Sequence, residues 1–202
     1  MSVLAIAGSP APLSRSSRVV DFAAARLIER GVEVDRVCIR ELPAEALLQL
    51  NHRHPDIQQS ISRVARAAAI IVATPVYKAA YSGLLKAYLD LLPRDAFRGK
   101  VILPIGTAAI PAHGLALDYA LKPLLSTLGA SCVLDGVYAL DQQVSWTPEK
   151  GLQLDPEIAY RIEEGVKWLA YNSGSRSAPP SQTVDSFIPS HDILPERARC
   201  WA

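Results

Sequence analysis

Three stretches of this sequence combine polar or cationic side chains with backbone breakers in a way that suits ligand chemistry. The first is Gly8-Ser9-Pro10-Ala11-Pro12-Leu13-Ser14-Arg15-Ser16-Ser17, between the apolar run Val3 to Ala7 and an amphipathic stretch from Arg18 to Arg30. A helix beginning there exposes unpaired N–H donors and a partial positive charge, both of which favour a phosphate. Ser14, Ser16 and Ser17 add hydroxyls, and Arg15 adds a charge-assisted, potentially bidentate contact. The same serines suit plain helix caps, so this stretch alone leaves both roles open.

The second stretch, Thr74-Pro75-Val76-Tyr77-Lys78-Ala79-Ala80-Tyr81-Ser82-Gly83, puts an aromatic ring and a cation at the end of an apolar run. Tyr77 can flank a planar ligand, and Lys78 can reach carbonyl or phosphate oxygens; the alternative is an amphipathic turn with a solvated lysine. The third, Gly106-Thr107-Ala108-Ala109-Ile110-Pro111-Ala112-His113, is made of small residues that can lie along a flat ring or simply connect a strand to a helix.

Other chemistries lack their residues. There is no Gly-x-Gly-x-x-Gly, no acidic residue closing the second strand to hold a ribose, no Gly-x-Ser-x-Gly elbow and no Walker sequence. A serine-rich loop without that glycine pattern suits a terminal monophosphate better than a threaded pyrophosphate. His52 and His54 bracket Arg53, but no third ligand accompanies them, so no metal is expected. His113 reads as a surface or capping residue.

The elements that position these loops follow from periodicity. Expected strands are Val3 to Ala7, Val32 to Cys38, Ala69 to Pro75 (stopped by the proline), Lys100 to Thr107 and Cys132 to Val137. Between them come helices over Ser16 to Glu29, Pro55 to Ala68, Gly83 to Leu92, Gly114 to Leu128 and Pro156 to Ala170. Strictly alternating strands and helices predict an α/β fold with a five-stranded parallel sheet and helices on both faces. All three loops then leave strand carboxyl ends, where such sheets bind ligands.

The chain has 202 residues, half of them hydrophobic, enough for one well-packed domain. That domain is expected over residues 1–172, with an extended or disordered tail at 173–202 opened by Ser173-Gly174-Ser175. A net charge of +1 gives no electrostatic case for nucleic acid or a membrane surface. The three cysteines are widely spaced and odd in number, which points to a reducing, cytoplasmic setting. Cys38 and Cys132 are expected as small core residues.

Several separated motifs carry a resemblance over about Met1 to Trp168. They are Gly8-Ser9-Pro10 with Ser14-Arg15-Ser16, Thr74 to Lys78 with Tyr81-Ser82-Gly83, Ala87 to Pro93, Lys100 to Pro104, and His113 to Leu125. Together they resemble the NAD(P)H-dependent FMN reductases of the flavodoxin-like superfamily, nearest to flavin reductases of two-component alkanesulfonate monooxygenase systems. The resemblance implies a flavodoxin-like three-layer sandwich and hydride transfer from NADPH or NADH to FMN. Ser9, Arg15, Ser16 and Ser17 would hold the flavin phosphate, and Pro75, Val76, Tyr77, Lys78, Thr107, Ala108 and Ala109 would flank the ring. No side chain need act as acid or base, because the cofactor carries the chemistry.

It also implies a homotetramer built through the helix around Asp118 to Leu128, and a partner monooxygenase that receives FMNH2. Tyr119 looks like the inserted aromatic that gives this helix a π-type bulge and weakens flavin retention. The family often has Gly-Gly where this chain has Ala108-Ala109. Two other readings accompany this one: an FMN-retaining quinone, azo or chromate reductase, and a non-catalytic flavodoxin-like electron carrier. The latter usually carries many surface acids, unlike this near-neutral chain.

Overall fold

The computed structural model describes residues 2–174. Its elements are β1 (Val3–Ala7), α1 (Arg15–Glu29), β2 (Val34–Cys38), α2 (Ala44–Leu48), α3 (Pro55–Arg66), β3 (Ala69–Tyr77), β4 (Ala80–Tyr81) and α4 (Gly83–Leu89). Then come β5 (Val101–Ala108), a π-helix (Leu117–Leu121), α5 (Lys122–Thr127), β6 (Cys132–Val133), β7 (Val137–Leu140), β8 (Val144–Thr147), β9 (Gly151–Leu154) and α6 (Pro156–Asn172). The tail expected at 173–202 lies, after Gly174, outside the described residues.

The parallel sheet runs β2-β1-β3-β5-β6, with β7 pairing β5 beyond β6 and β4 folding back antiparallel on β3. Counting β5 and β6 as the fourth and fifth parallel strands, this is the 2-1-3-4-5 order of flavodoxin-like folds. Alternation along the strands divides the core. Leu4, Ile6, Ile70, Val72 and Ile102 face Ile57 and Val64 of α3, Leu85 and Leu89 of α4, and Leu117, Leu121 and Leu125. Val3, Ala5, Ile71, Leu103 and Ile105 face Val19, Val20 and Leu27 of α1 and Ile158, Ile162 and Val166 of α6.

Two prolines explain departures from the expected strands. Pro75 does not stop β3, which continues to Tyr77. Ala73 accepts from the Gly8 amide at 2.8 Å, so residues of its parity direct their backbone groups toward β1. Pro75 shares that parity, but β1 pairing has already ended at Ala7↔Ala73, so no ladder bond needs the missing proton. Pro104 acts oppositely. The Leu134 amide donates to Ile102 at 2.9 Å, so Pro104 faces the same side and has no N–H to offer. The single strand expected over Cys132 to Val137 is accordingly split into β6 and β7, with the gap beside Pro104.

The long helix expected over Gly114 to Leu128 runs without interruption over 115–127 and carries the expected π-type bulge at Leu117–Leu121, around Tyr119. A 3-10 turn at Pro111–His113 precedes the π-helix, in which the Lys122 amide reaches back to the Leu117 carbonyl. Leu117 packs so closely on the β5 and β7 backbones that a Cβ on Gly136 would come within 2.8 Å of its Cδ1. The cysteine expectation is corrected as well: Cys38 is half-buried and Cys132 is exposed. Both lie on outer strands of the sheet, where one flank is uncovered. The sequence reading also passed over α2, β4 and the β8–β9 hairpin.

Candidate functional site

The first loop owes its shape to close packing. A Cβ on Gly8 would sit 3.0 Å from Leu85 Cβ and 3.1 Å from the Ala73 carbonyl, so glycine lets the chain turn directly against α4. Ser82 locks that turn in place. Its hydroxyl donates to the Gly8 carbonyl at 2.6 Å and accepts from the Leu85 amide at 3.1 Å, capping α4. Its own amide donates to Thr74 Oγ1 at 2.9 Å. Ser82 and Thr74 are both buried, so the first and second loops share one dry polar link.

At the start of α1, Ser14 caps the helix and gathers its neighbours. Its Oγ accepts from the Ser17 amide at 3.1 Å and lies 3.1 Å from Ser16 Oγ and 2.8 Å from Ser17 Oγ. The Arg18 amide is taken by the Ser14 carbonyl at 3.1 Å, leaving the Arg15 and Ser16 amides without a partner among the described residues. Ser14 is therefore the cap, with Ser16 and Ser17 bonded to it from inside the helix, and the remaining amides are free to meet an anion. Ser9, Ser16 and Ser17 are buried; Ser9 Oγ accepts from the Ala11 amide at 3.2 Å.

A cavity of about 780 Å³ opens at the carboxyl ends of β1, β3 and β5. Of the residues expected from sequence, Arg15, Pro75, Val76, Tyr77, Thr107, Ala108 and Ala109 line it together. Ser9, Ser16 and Ser17 are buried and are not on its lining. Lys78 is not on the lining; it forms the tip of the β3–β4 turn with Ala79, at φ 51° and 60°. Tyr119, on the π-helix, is also off the lining and is 78% exposed. His52 and His54 serve structure. His54 Nδ1 accepts from the Asp56 amide at 3.3 Å at the start of α3, and His52 Nδ1 lies 3.2 Å from the Leu91 carbonyl. No group of three metal-binding side chains occurs among the described residues.

The cavity has a further wall that the sequence reading missed. Asp141, Gln142, Val144, Ser145 and Trp146 approach it from β8 and the 3-10 turn before it, facing Arg18 on α1. Asp141 pairs with Arg15 at 3.3 Å, and the Arg18 guanidinium carbon lies 4.0 Å from the Trp146 ring centroid. Val144, sharing Trp146's face of the hairpin, is buried against the α1–α6 layer and anchors the strand there. Nearby, Tyr138 donates to the Ile110 carbonyl at 2.7 Å. Burial, aided by the Asp141 charge, pushes that phenol up, so it remains a neutral donor near pH 7.

The residues fit a flavin mononucleotide. Free first-turn amides, Arg15 and a hydroxyl cluster suit a phosphate, while Pro75, Val76, Tyr77, Ala108 and Ala109 offer apolar and aromatic side chains to a ring. The volume lies in the upper part of the roughly 300–1,000 Å³ usual for ligand pockets.

Comparison with known proteins agrees. A family model for NADPH-dependent FMN reductases matches residues 1–145. An FMN reductase (NADPH) of Pseudomonas putida strain KT2440 is 44% identical over 185 residues, 91% of this chain and 94% of that protein. An FMN reductase (NADPH) of Escherichia coli K12 is 44% identical over 181 residues, covering 89% and 94% respectively. Among solved structures, the apo form of an NADH:FMN oxidoreductase superposes with a TM-score of 0.77 at 29% identity, covering 92% of this chain and 99% of its own. With the flavodoxin-like strand order, these likenesses place the chain in the NADPH-dependent FMN reductase family.

Proposed function

We propose that the protein transfers hydride from a reduced nicotinamide dinucleotide to FMN and releases FMNH2 to a partner flavin-dependent monooxygenase of sulfonate or sulfur assimilation. The observation that carries this reading is the cavity itself, which brings Arg15 at the start of α1 together with Pro75, Val76 and Tyr77 of β3 and Thr107, Ala108 and Ala109 at the end of β5. Arg15 and the α1 amides bind the phosphate over the buried Ser9, Ser16 and Ser17. Pro75, Val76, Tyr77, Thr107, Ala108 and Ala109 orient the ring, with Lys78 at its rim. Bound flavin supplies the hydride-accepting ring; the chain supplies near-attack alignment of two flat rings, which needs no acid or base.

Release is supported by the π-helix. An extra residue costs helix stability, and such bulges gather at functional positions. Exposed Leu115 and Tyr119 beside it support a homotetramer assembled through this segment, with Tyr119 weakening flavin retention across the interface. The protein works in the cytoplasm, in keeping with its three widely spaced cysteines.

The test is NADPH oxidation by desalted protein with and without added FMN. The expected result is colourless protein whose rate rises severalfold with free FMN. Protein that stays yellow, with a rate indifferent to added FMN, would instead mark a flavin-retaining reductase.

A further inference from the structure

The cavity holds two guanidinium groups in different electrostatic states. Arg15 is paired with Asp141 at 3.3 Å and lies at the phosphate end. Arg18, one turn further along α1, is half-buried and has no carboxylate or carbonyl partner among the described residues. Its contact is the face of Trp146, 4.0 Å away, on a ring that is itself 45% exposed. A guanidinium stacked on an aromatic face keeps its N–H donors at the edge of the stack, available for a bidentate anion contact. Exposed indole surface beside it can take a purine by stacking.

The flavin uses one phosphate site, which the α1 amides, the serines and Arg15 already provide. The second substrate also carries phosphates, and its two forms differ by one: the dianion on the adenosine 2′-hydroxyl. We propose that Arg18 and Trp146 form the subsite for the adenosine 2′-phosphate of NADPH, so that the β8–β9 hairpin sets the preference for the phosphorylated dinucleotide. This rests on the reading that the cavity receives flavin and dinucleotide together. Trp146 covers the adenine, and Arg18 binds the 2′-phosphate through charge-assisted hydrogen bonds, which are roughly twice as strong as neutral ones. Val144 holds the hairpin in the core, so both groups are positioned before the dinucleotide arrives.

Two measurements on the full chain test the assignment. The first is tryptophan fluorescence of flavin-free protein titrated with adenosine 2′,5′-bisphosphate or adenosine 5′-monophosphate. Quenching by the bisphosphate at concentrations at least tenfold lower than by the monophosphate is expected, with the difference lost in Arg18→Ala and the quenching lost in Trp146→Phe. The second is the ratio of KM for NADPH to KM for NADH, which should rise at least tenfold in Arg18→Ala and less in Arg18→Lys. An unchanged ratio in both variants overturns the proposal, as does a loss of FMN affinity with no change in ratio, which would assign Arg18 to the flavin phosphate. Wild-type protein that reduces FMN with either dinucleotide while Arg18→Ala keeps its preference sinks this subsite alone. Wild-type protein that oxidises neither dinucleotide sinks the underlying functional reading.

Discussion

Two regions that border the cavity, the first loop and the segments after β3 and β5, are built on opposite principles. Around the first loop, Gly8, Thr74 and Ser82 form one hydrogen-bonded set and Ser14, Ser16 and Ser17 another, mostly buried, so this side is held in place by its own bonds. After β3 and β5 the opposite holds: Tyr77 is exposed, the Lys78-Ala79 tip sits in left-handed backbone, and the segment after β5 passes through a 3-10 turn and a π-helix. The first region is tied down by buried hydrogen bonds, and the second is exposed and irregular. On the proposed reading, the first region holds the flavin phosphate and the second borders a ring that enters and leaves.

The largest effect expected from breaking this contrast is at Ser82. Ser82→Ala removes the α4 cap and the donor to Gly8, and it orphans buried groups, at a cost of about 2 kcal/mol in urea unfolding. A change of only a few tenths would show that the two loops are not tied through this hydroxyl. In the second region the sign reverses. Residues Lys78 and Ala79 occupy a two-residue hairpin turn with both φ positive, a geometry suited to Asn-Gly. The double change Lys78→Asn with Ala79→Gly should therefore stabilise the protein by about 1 kcal/mol, since left-handed backbone costs non-glycine residues about 1–2 kcal/mol each. A fall in stability would mean that the turn is not strained. The smallest effect concerns Asp141. The exposed pair with Arg15 contributes little to stability, but its carboxylate opposes an incoming phosphate. Asp141→Asn should tighten FMN binding by up to about 1 kcal/mol, with the gain shrinking as salt is raised. Weaker binding would show that Asp141 orients Arg15 rather than competing for it.

What the sequence made legible divides along the same line. The buried strands and the α1 start were readable because continuous apolar runs and a serine-rich helix entry are local signals. The split fifth strand was not, because its cause is Pro104 on the neighbouring strand. Pro75 misled for a related reason: a proline ends a strand only where a neighbour needs its N–H, and β1 had already ended. That Arg15, Pro75 to Tyr77 and Thr107 to Ala109 meet in one cavity was legible from loops at strand ends. The wall containing Asp141, Arg18 and Trp146 was not, because a short hairpin far along the chain carries no pattern linking it to α1. The two-residue alternation from Val144 to Trp146 was the one available signal, and it is too short to stand out.

The central claim is that the helix-capped end of this cavity holds the flavin phosphate. Its most direct test is the FMN dissociation constant, from quenching of flavin fluorescence, for wild-type protein and Arg15→Ala. Loss of a hydrogen bond to a charged group predicts weaker binding by about 1.5–3 kcal/mol, roughly 10- to 100-fold. Unchanged FMN affinity in Arg15→Ala would place the phosphate elsewhere and contradict the account.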